Sequence, residues 1–231
     1  MKALRIALAR GAIFADTAAL LEQLGFDLAE VRANPRRLIF DTAEGTRFIT
    51  TRPTDVPTYV EYGAADVGFV GKDVLRENPK NVYEVLDLGV GRCRMIFATP
   101  AGSDPSLENL RHLGTFRVAT KYPNITREYF QERGIAPEII KLHGSIELAP
   151  LVGLAEGIVD LTSTGATLRE NRLEERFELF PCSTRLIVNR VAHKMHAARV
   201  GELVTRLREL VEQGPGSPEE VGRVQPKEDR A

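Results

Sequence analysis

The run Val159-Asp160-Leu161-Thr162-Ser163-Thr164-Gly165-Ala166-Thr167-Leu168 holds the densest set of groups able to do chemistry in this sequence. An apolar strand carrying one carboxylate enters a hydroxyl-rich turn with a single glycine, and a helix start follows. Such a turn collects backbone N–H groups, hydroxyl donors and the positive helix end about one point, which suits a phosphate monoester. The same residues also suit a plain Ser/Thr cap on a helix that follows a strand. Asp160 precedes the turn, where its carboxylate can accept hydrogen bonds from vicinal sugar hydroxyls. Phosphate beside ribose is the outline of a phosphoribosyl group.

Other motifs carry less. Gly71-Lys72-Asp73 lacks the upstream glycine spacing and the Ser/Thr after Lys that a Walker A loop needs. Gly89-x-Gly91 lacks the third glycine and the strand-to-helix setting of a dinucleotide fingerprint. The histidines His112, His143, His193 and His196 form no H-E-x-x-H arrangement, and no metal ligand is assigned. Cys93 and Cys182 alone could form a bridge; they lie far apart, belong to no C-x-x-C pair and are read as structural thiols.

The elements that must position these groups alternate between strand-like and helix-like, which predicts an α/β protein with largely parallel sheets. Strands are predicted at 3–8, 38–40, 47–50, 67–70, 82–88 and 94–98, and then at 117–120, 138–142, 158–162 and 185–188. Val67-Gly68-Phe69-Val70 is apolar enough to be central in a sheet covered on both faces. Asp16 is predicted to cap a helix carrying Leu20, Leu21 and Leu24 and ended by Gly25, and Asp55 to cap one ended by Gly63. Further helices are predicted around Leu107–Leu113, over Ile125–Arg133, from Ile146 to Ala155, from Ala166, and from Ala192 to Glu212. Gly63-x-x-Asp66 followed by Gly71 repeats as Gly157-x-x-Asp160 followed by Gly165. The repeat predicts two similarly built lobes facing each other, with ligands at the C-terminal ends of their strands.

A chain of 231 residues with 31 Lys+Arg against 32 Asp+Glu has a net charge of -1, which excludes a strongly basic nucleic-acid binder. No apolar stretch reaches the roughly 18 residues of a membrane helix. Arg5, Arg10 and Asp16 interrupt any signal-peptide core, so a cytoplasmic chain is expected. Residues 214–231, rich in Pro, Gly, Ser and then charge, read as a disordered tail.

Several segments, in order, resemble the ATP phosphoribosyltransferases of histidine biosynthesis. They are Arg10-Gly11; Arg36-Arg37-Leu38-Ile39; Arg52 with Asp55-Val56-Pro57; Gly63 through Gly68 with Gly71; and Leu86-Asp87-Leu88-Gly89 with Cys93-Arg94. They continue through Ala119-Thr120-Lys121-Tyr122, Gly144 through Pro150, and Asp160 through Leu168 with Asn171. The resemblance covers nearly all of residues 1–212. It implies an architecture like type II periplasmic binding proteins, with 1–93 plus 180–213 as the ATP-side, dimer-forming lobe and 94–179 as the phosphoribosyl pyrophosphate side. It implies that Thr162, Ser163, Thr164, Gly165, Ala166 and Thr167 cradle the 5′-phosphate and that Asp160 and Glu147 hold the ribose hydroxyls. Arg10, Gly11, Arg52, Asp66 and Gly71 are the implied ATP contacts. Arg36, supported by Arg10, is the implied stabiliser of the departing pyrophosphate, with Mg2+ on the substrate phosphates.

The chain departs from the family pattern in having Ala12 where an arginine is frequent, and Arg172 where glycine frequently follows the Asn. Longer family members carry a histidine-binding regulatory domain, and here the short form is expected. Short members work as a homodimer within a hetero-oligomer containing a regulatory subunit that resembles histidyl-tRNA synthetase. The rival expectations are a bilobed binding module without catalysis and a phosphoribosyltransferase for another base.

Overall fold

The computed structural model describes residues 4–34, 36–103 and 116–213. The first sheet contains β1 (Arg5–Ala9), β2 (Ile39–Asp41), β3 (Arg47–Thr51), β4 (Val67–Gly71), β5 (Tyr83–Asp87) and, from late in the chain, β11 (Thr184–Val188), in the order β2-β3-β1-β4-β11-β5. The second contains β6 (Cys93–Pro100), β7 (Arg117–Thr120), β8 (Glu138–Lys141), β9 (Gly157–Thr162) and β10 (Leu173–Cys182), in the order β10-β6-β9-β7-β8. Each sheet with its helices is one α/β lobe. The helices are α1 (Phe14–Gln23), α2 (Ala29–Ala33), α3 (Val56–Glu61), α4 (Lys72–Glu77), α5 (Pro123–Gln131), α6 (Leu148–Leu151), α7 (Ala166–Glu170), α8 (Arg190–Met195) and α9 (Ala197–Glu212).

As its composition requires, β4 is central and covered on both faces. Val67 and Phe69 join Ile6, Leu8, Leu21, Leu203 and Leu207 on one side, while Val70 joins Ala7, Val56, Val60 and Ile187 on the other. Burying each such Val, Leu, Ile or Phe side chain contributes about 1.5–3 kcal/mol. Gly68 is a close-packing position: a Cβ there would lie 2.7 Å from Val60 and 2.8 Å from Val56, so α3 could not pack as it does. The second lobe centres on Phe97, whose ring stacks on Phe177 and meets Phe116 and Phe130 edge to face.

Several predicted features are corrected. The sheets are not largely parallel. Pairs β1–β3, β1–β4, β7–β8 and β7–β9 are parallel and the other pairings are antiparallel: β2 and β3 are joined by the short turn 42–46, β6 and β11 enter their sheets from the connections between lobes, and β10 pairs with β6 on its way back to the first lobe. Asp16 lies inside the first turn of α1 instead of capping it, and its Oδ2 accepts from the Gly91 N–H at 3.1 Å. Asp55 is the N-cap residue of α3, but its side chain makes no cap hydrogen bond. Only Leu148–Leu151 is helical within the predicted 146–155 helix, since Gly153 turns left-handed at φ 72°. The long C-terminal helix is two helices with a break at His196. Strand β10 lacked a sequence prediction; its Glu174, Glu175, Arg176, Glu178 and Pro181 suit a sheet edge, which is where it lies. The predicted helix around Leu107–Leu113 and the tail lie outside the described residues.

The internal repeat exists at a different offset. Gly63 ends the turn after α3 at φ 71°, and the residue that does this after α6 is Gly153, not Gly157. In the first lobe the Arg5 N–H and guanidinium bind the Asp66 carboxylate, and the Asp66 N–H donates to the Arg5 carbonyl at 2.8 Å. In the second lobe Arg117 and Glu156 make the same set of bonds, with the Glu156 N–H on the Arg117 carbonyl at 3.0 Å. Asp66 therefore corresponds to Glu156, and Asp160 corresponds to Val70.

Candidate active site

Strand β9 delivers Thr162 to the start of the hydroxyl-rich turn, and Gly165 adopts φ 71°, where L side chains are strained. The Thr162 hydroxyl accepts from the Gly165 N–H at 3.0 Å, and the Thr164 hydroxyl from the Ala166 N–H at 3.3 Å. Each hydroxyl keeps its own proton to donate. Glu147, Asp160, Thr162, Ser163, Thr164, Gly165, Ala166 and Thr167 all line one cavity of about 130 Å³. The structure thus brings together every residue assigned from the sequence to the phosphoribosyl side.

The two carboxylates are placed differently. Asp160, largely buried, has Oδ1 on the Leu161 N–H at 2.9 Å and Oδ2 4.0 Å from the Lys121 Nζ. Burial pushes its carboxyl above the ordinary range, Lys121 and the Leu161 N–H oppose that, and Glu147 and Asp73 add to it. Glu147 reaches the cavity from the N-cap of α6. The turn before it holds Ser145 at φ 49°, an uncommon conformation for a residue with a side chain.

In the first lobe, Arg10, Gly11, Arg52 and Gly71 lie at the C-terminal ends of β1, β3 and β4. The Arg10 Nη2 donates to the Arg37 carbonyl and to the Thr50 hydroxyl, both at 2.9 Å. Arg10 thereby ties down the segment that carries Arg36. Arg36 and Arg52 are exposed. Gly71 begins α4, where an added Cβ would collide with the Asp73 carboxylate. Asp66 is not brought to this site. It sits before β4, at the opposite end of the sheet, 2% exposed and fully engaged by Arg5. The resemblance implied an ATP contact for Asp66; here it is the buried partner of an ion pair with Arg5.

A cavity of about 420 Å³ joins the lobes, lined by Ala12, Ile13, Gly71 and Asp73 from the first and by Leu161 and Thr162 from the second. Across a neighbouring cavity of about 590 Å³, Asp73 and Glu77 face Lys121 and Tyr122. Sequence reasoning left Asp73, Lys121 and Tyr122 without roles. Their signal is positional: they directly follow β4 and β7, whose C-terminal ends face the cleft.

A family model described as HisG: ATP phosphoribosyltransferase matches residues 52–209. The chain belongs to the HisG family, the ATP phosphoribosyltransferases. Among relatives, the ATP phosphoribosyltransferase of Rubrobacter xylanophilus is 51% identical, over 88% of this chain and 94% of that protein. That of Symbiobacterium thermophilum is also 51% identical, over 91% and 96%. Among solved structures, the ATP phosphoribosyl transferase (HisG:HisZ) complex of Thermotoga maritima matches with TM-score 0.77 and 33% identity, covering 91% of this chain and 99% of that one. The periplasmic aliphatic sulphonate binding protein SsuA of Escherichia coli matches with TM-score 0.57 at 14% identity, which shows a shared two-lobed fold and nothing of its ligand. The hydroxyl-rich turn and the carboxylates of Glu147 and Asp160 belong to the second lobe, and Arg36 and Arg52 belong to the first. Among the described residues, no helix is long and apolar enough to cross a membrane.

Proposed function

We infer that this chain transfers the phosphoribosyl group of phosphoribosyl pyrophosphate to N1 of the adenine of ATP, releasing pyrophosphate, as the first step of histidine biosynthesis in the cytoplasm. The observation that carries this reading is the convergence of Glu147, Asp160 and residues 162–167 on one cavity of phosphate size in a HisG-family chain. The turn's hydroxyl and N–H donors would hold the 5′-phosphate, and the two carboxylates would accept from the ribose hydroxyls. That grip fixes C1 of the sugar toward the cleft between the lobes, where the adenine enters from the Ala12–Gly71 side.

Adenine N1 is unprotonated at neutral pH and carries its own lone pair, so no strong base is required. The demand is charge: pyrophosphate leaves an oxocarbenium-like ribose, and positioned cations stabilise it. Arg36 supplies that charge in this reading. The two hydrogen bonds of Arg10 make it a positioning residue for the Arg36–Arg37 segment. Mg2+ fits as a companion of the substrate phosphates. Among the described residues no group of three or more His, Cys, Asp and Glu could cage a metal, while the Glu147 and Asp160 oxygens suit a hard cation held chiefly by phosphate. When bound, the ion supplies charge neutralisation for the pyrophosphate.

The catalytic unit in this reading is a homodimer that associates with a HisZ-type regulatory subunit, as the Thermotoga maritima complex pairs HisG with HisZ. Mixing the purified chain with ATP, phosphoribosyl pyrophosphate and Mg2+ should yield the N1-ribosylated adenine chromophore. Absence of product, with and without a HisZ-type subunit, would overturn the assignment. Sedimentation with and without that subunit tests the assembly.

A further inference from the structure

We propose that Cys93 and Cys182 form a redox-modification site, oxidised by low-molecular-weight disulfides to a reversible intrachain bridge that pins the junction between the lobes and slows catalysis. The slowing rests on the function proposed above; the bridge itself does not.

The chain passes between the lobes at two places. It leaves the first lobe through Gly91 and Arg92 into β6, which begins at Cys93, and it returns from β10, which ends at Cys182, through Ser183 into β11. The two cysteines are directly opposed in the antiparallel pairing of β6 with β10. Residues so opposed have Cα atoms about 4.5–5.5 Å apart, inside the range a disulfide spans. The register thus sets the two free thiols side by side.

The two sulfurs differ as an attacking and a resolving thiol should. Cys93 is partly exposed, and Cys182 is 4% exposed. The neighbouring Cys182 thiol holds the Cys93 thiol below its ordinary range against the opposing effect of burial, and the Cys93 thiol, with burial, pushes Cys182 up. The Cys93 thiolate attacks one sulfur of a disulfide such as oxidised glutathione, forming a mixed disulfide and expelling one glutathione thiolate. Cys182 then gives up its proton and attacks the Cys93 sulfur, expelling the second. Two protein thiols are oxidised, one glutathione disulfide is reduced to two glutathiones, and the two protons go to the expelled thiolates.

The position gives the bridge leverage. Immediately on the first-lobe side, the Thr184 N–H donates to the Val90 carbonyl and the Leu88 N–H to the Thr184 carbonyl, both at 2.9 Å. Between that fixed pair and the Cys93–Cys182 rung lie Gly91, at φ 61°, and Arg92 on one strand and Ser183, held to the first lobe by Lys72 and Asp87, on the other, so rotation between the lobes has to be absorbed in this short stretch. A covalent rung at its edge restricts that rotation.

The test uses the full chain, equilibrated against mixtures of reduced and oxidised glutathione. Peptide mass mapping should find one Cys93–Cys182 disulfide, with turnover lowered about tenfold or more and restored by dithiothreitol. Cys182→Ser should trap glutathione on Cys93, and Cys93→Ser should stay reduced and lose no activity to the oxidant. Two reduced thiols under oxidising mixtures would overturn the site, and so would a mapped bridge with unchanged turnover. If the reduced chain makes no product, the function reading fails on its own. The site is then judged by the mapping and by hydrogen exchange over 89–92, where the bridge should slow exchange and unchanged exchange would reject the pinning.

Discussion

The hydroxyl of Tyr122, which follows β7 in the second lobe, donates to Oδ2 of Asp73 on α4 of the first lobe at 3.2 Å. Burial pushes both groups above their ordinary ranges, so the phenol stays protonated and remains a donor across the cleft. One turn along α4, the buried Glu77 carboxylate accepts from the N–H groups of Asn124 and Ile125 at 3.0–3.1 Å, capping α5 of the other lobe. The two lobes are thus latched by the N-terminus of one helix and the acidic residues of another.

Glu77→Ala leaves the buried Ile125 N–H and the partly buried Asn124 N–H without an acceptor and should lower stability by about 1–3 kcal/mol. Glu77→Gln keeps an acceptor and should lose less. Urea unfolding of both variants checks the order.

Asp66→Ala should cost about 3–5 kcal/mol, because it strands the partly buried Arg5 without its partner. It should leave the KM for ATP unchanged in whatever folded protein remains. Glu156→Ala breaks the corresponding pair in the second lobe, where both side chains are more than a third exposed, so its loss should be much smaller. Thermal unfolding beside ATP kinetics separates a fold-holding acid from a ligand-binding one.

The Asp160 carboxyl has a raised pKa in the folded state, so it favours folding below its ordinary pKa and that contribution disappears as pH rises through the raised value. Asp160→Asn removes the cost of the buried charge. At pH 7 it should raise Tm while weakening phosphoribosyl pyrophosphate binding. Melting curves from pH 3 to 8 should show the wild-type and variant Tm values diverging with rising pH.

Arg36→Ala should lower turnover on the order of 100-fold, as loss of a charge that acts on the leaving group requires. Thr167→Ala should mainly weaken phosphoribosyl pyrophosphate binding, measured by calorimetry, through lost donors at the phosphate. Equal affinity would make the turn a helix cap only.

The sequence exposed the second-lobe site almost completely, because its residues lie in one continuous run from Asp160 to Thr167 and need only a strand, a left-handed glycine and a helix start to converge. The first-lobe site was legible only in part. Arg10 and Arg52 follow strands, so their location could be read, but the bond from Arg10 to the Arg37 carbonyl depends on how two distant loops meet. The pairing of Asp66 with Asp160 shows the cost of reading a repeat by residue type alone. Glycine and acid recur at both offsets, and only the backbone pairing of β7 with β9 distinguishes Glu156 from Asp160 as its counterpart. Strand β10 escaped because its outward charges mask the apolar Phe177 and Leu179 that pack inward.

The position of β11 in the first sheet sets an order of assembly. It lies between β4 and β5, and among the described residues β5 has no other neighbour in that sheet. During synthesis, β1 to β5 emerge first yet cannot close, while residues 93–182 form an unbroken stretch that supplies every strand of the second sheet. The lobe that is translated first is therefore the lobe that is finished last. A released chain truncated just past residue 182 would hold every strand of the second sheet beside a first sheet whose β5 lacks β11.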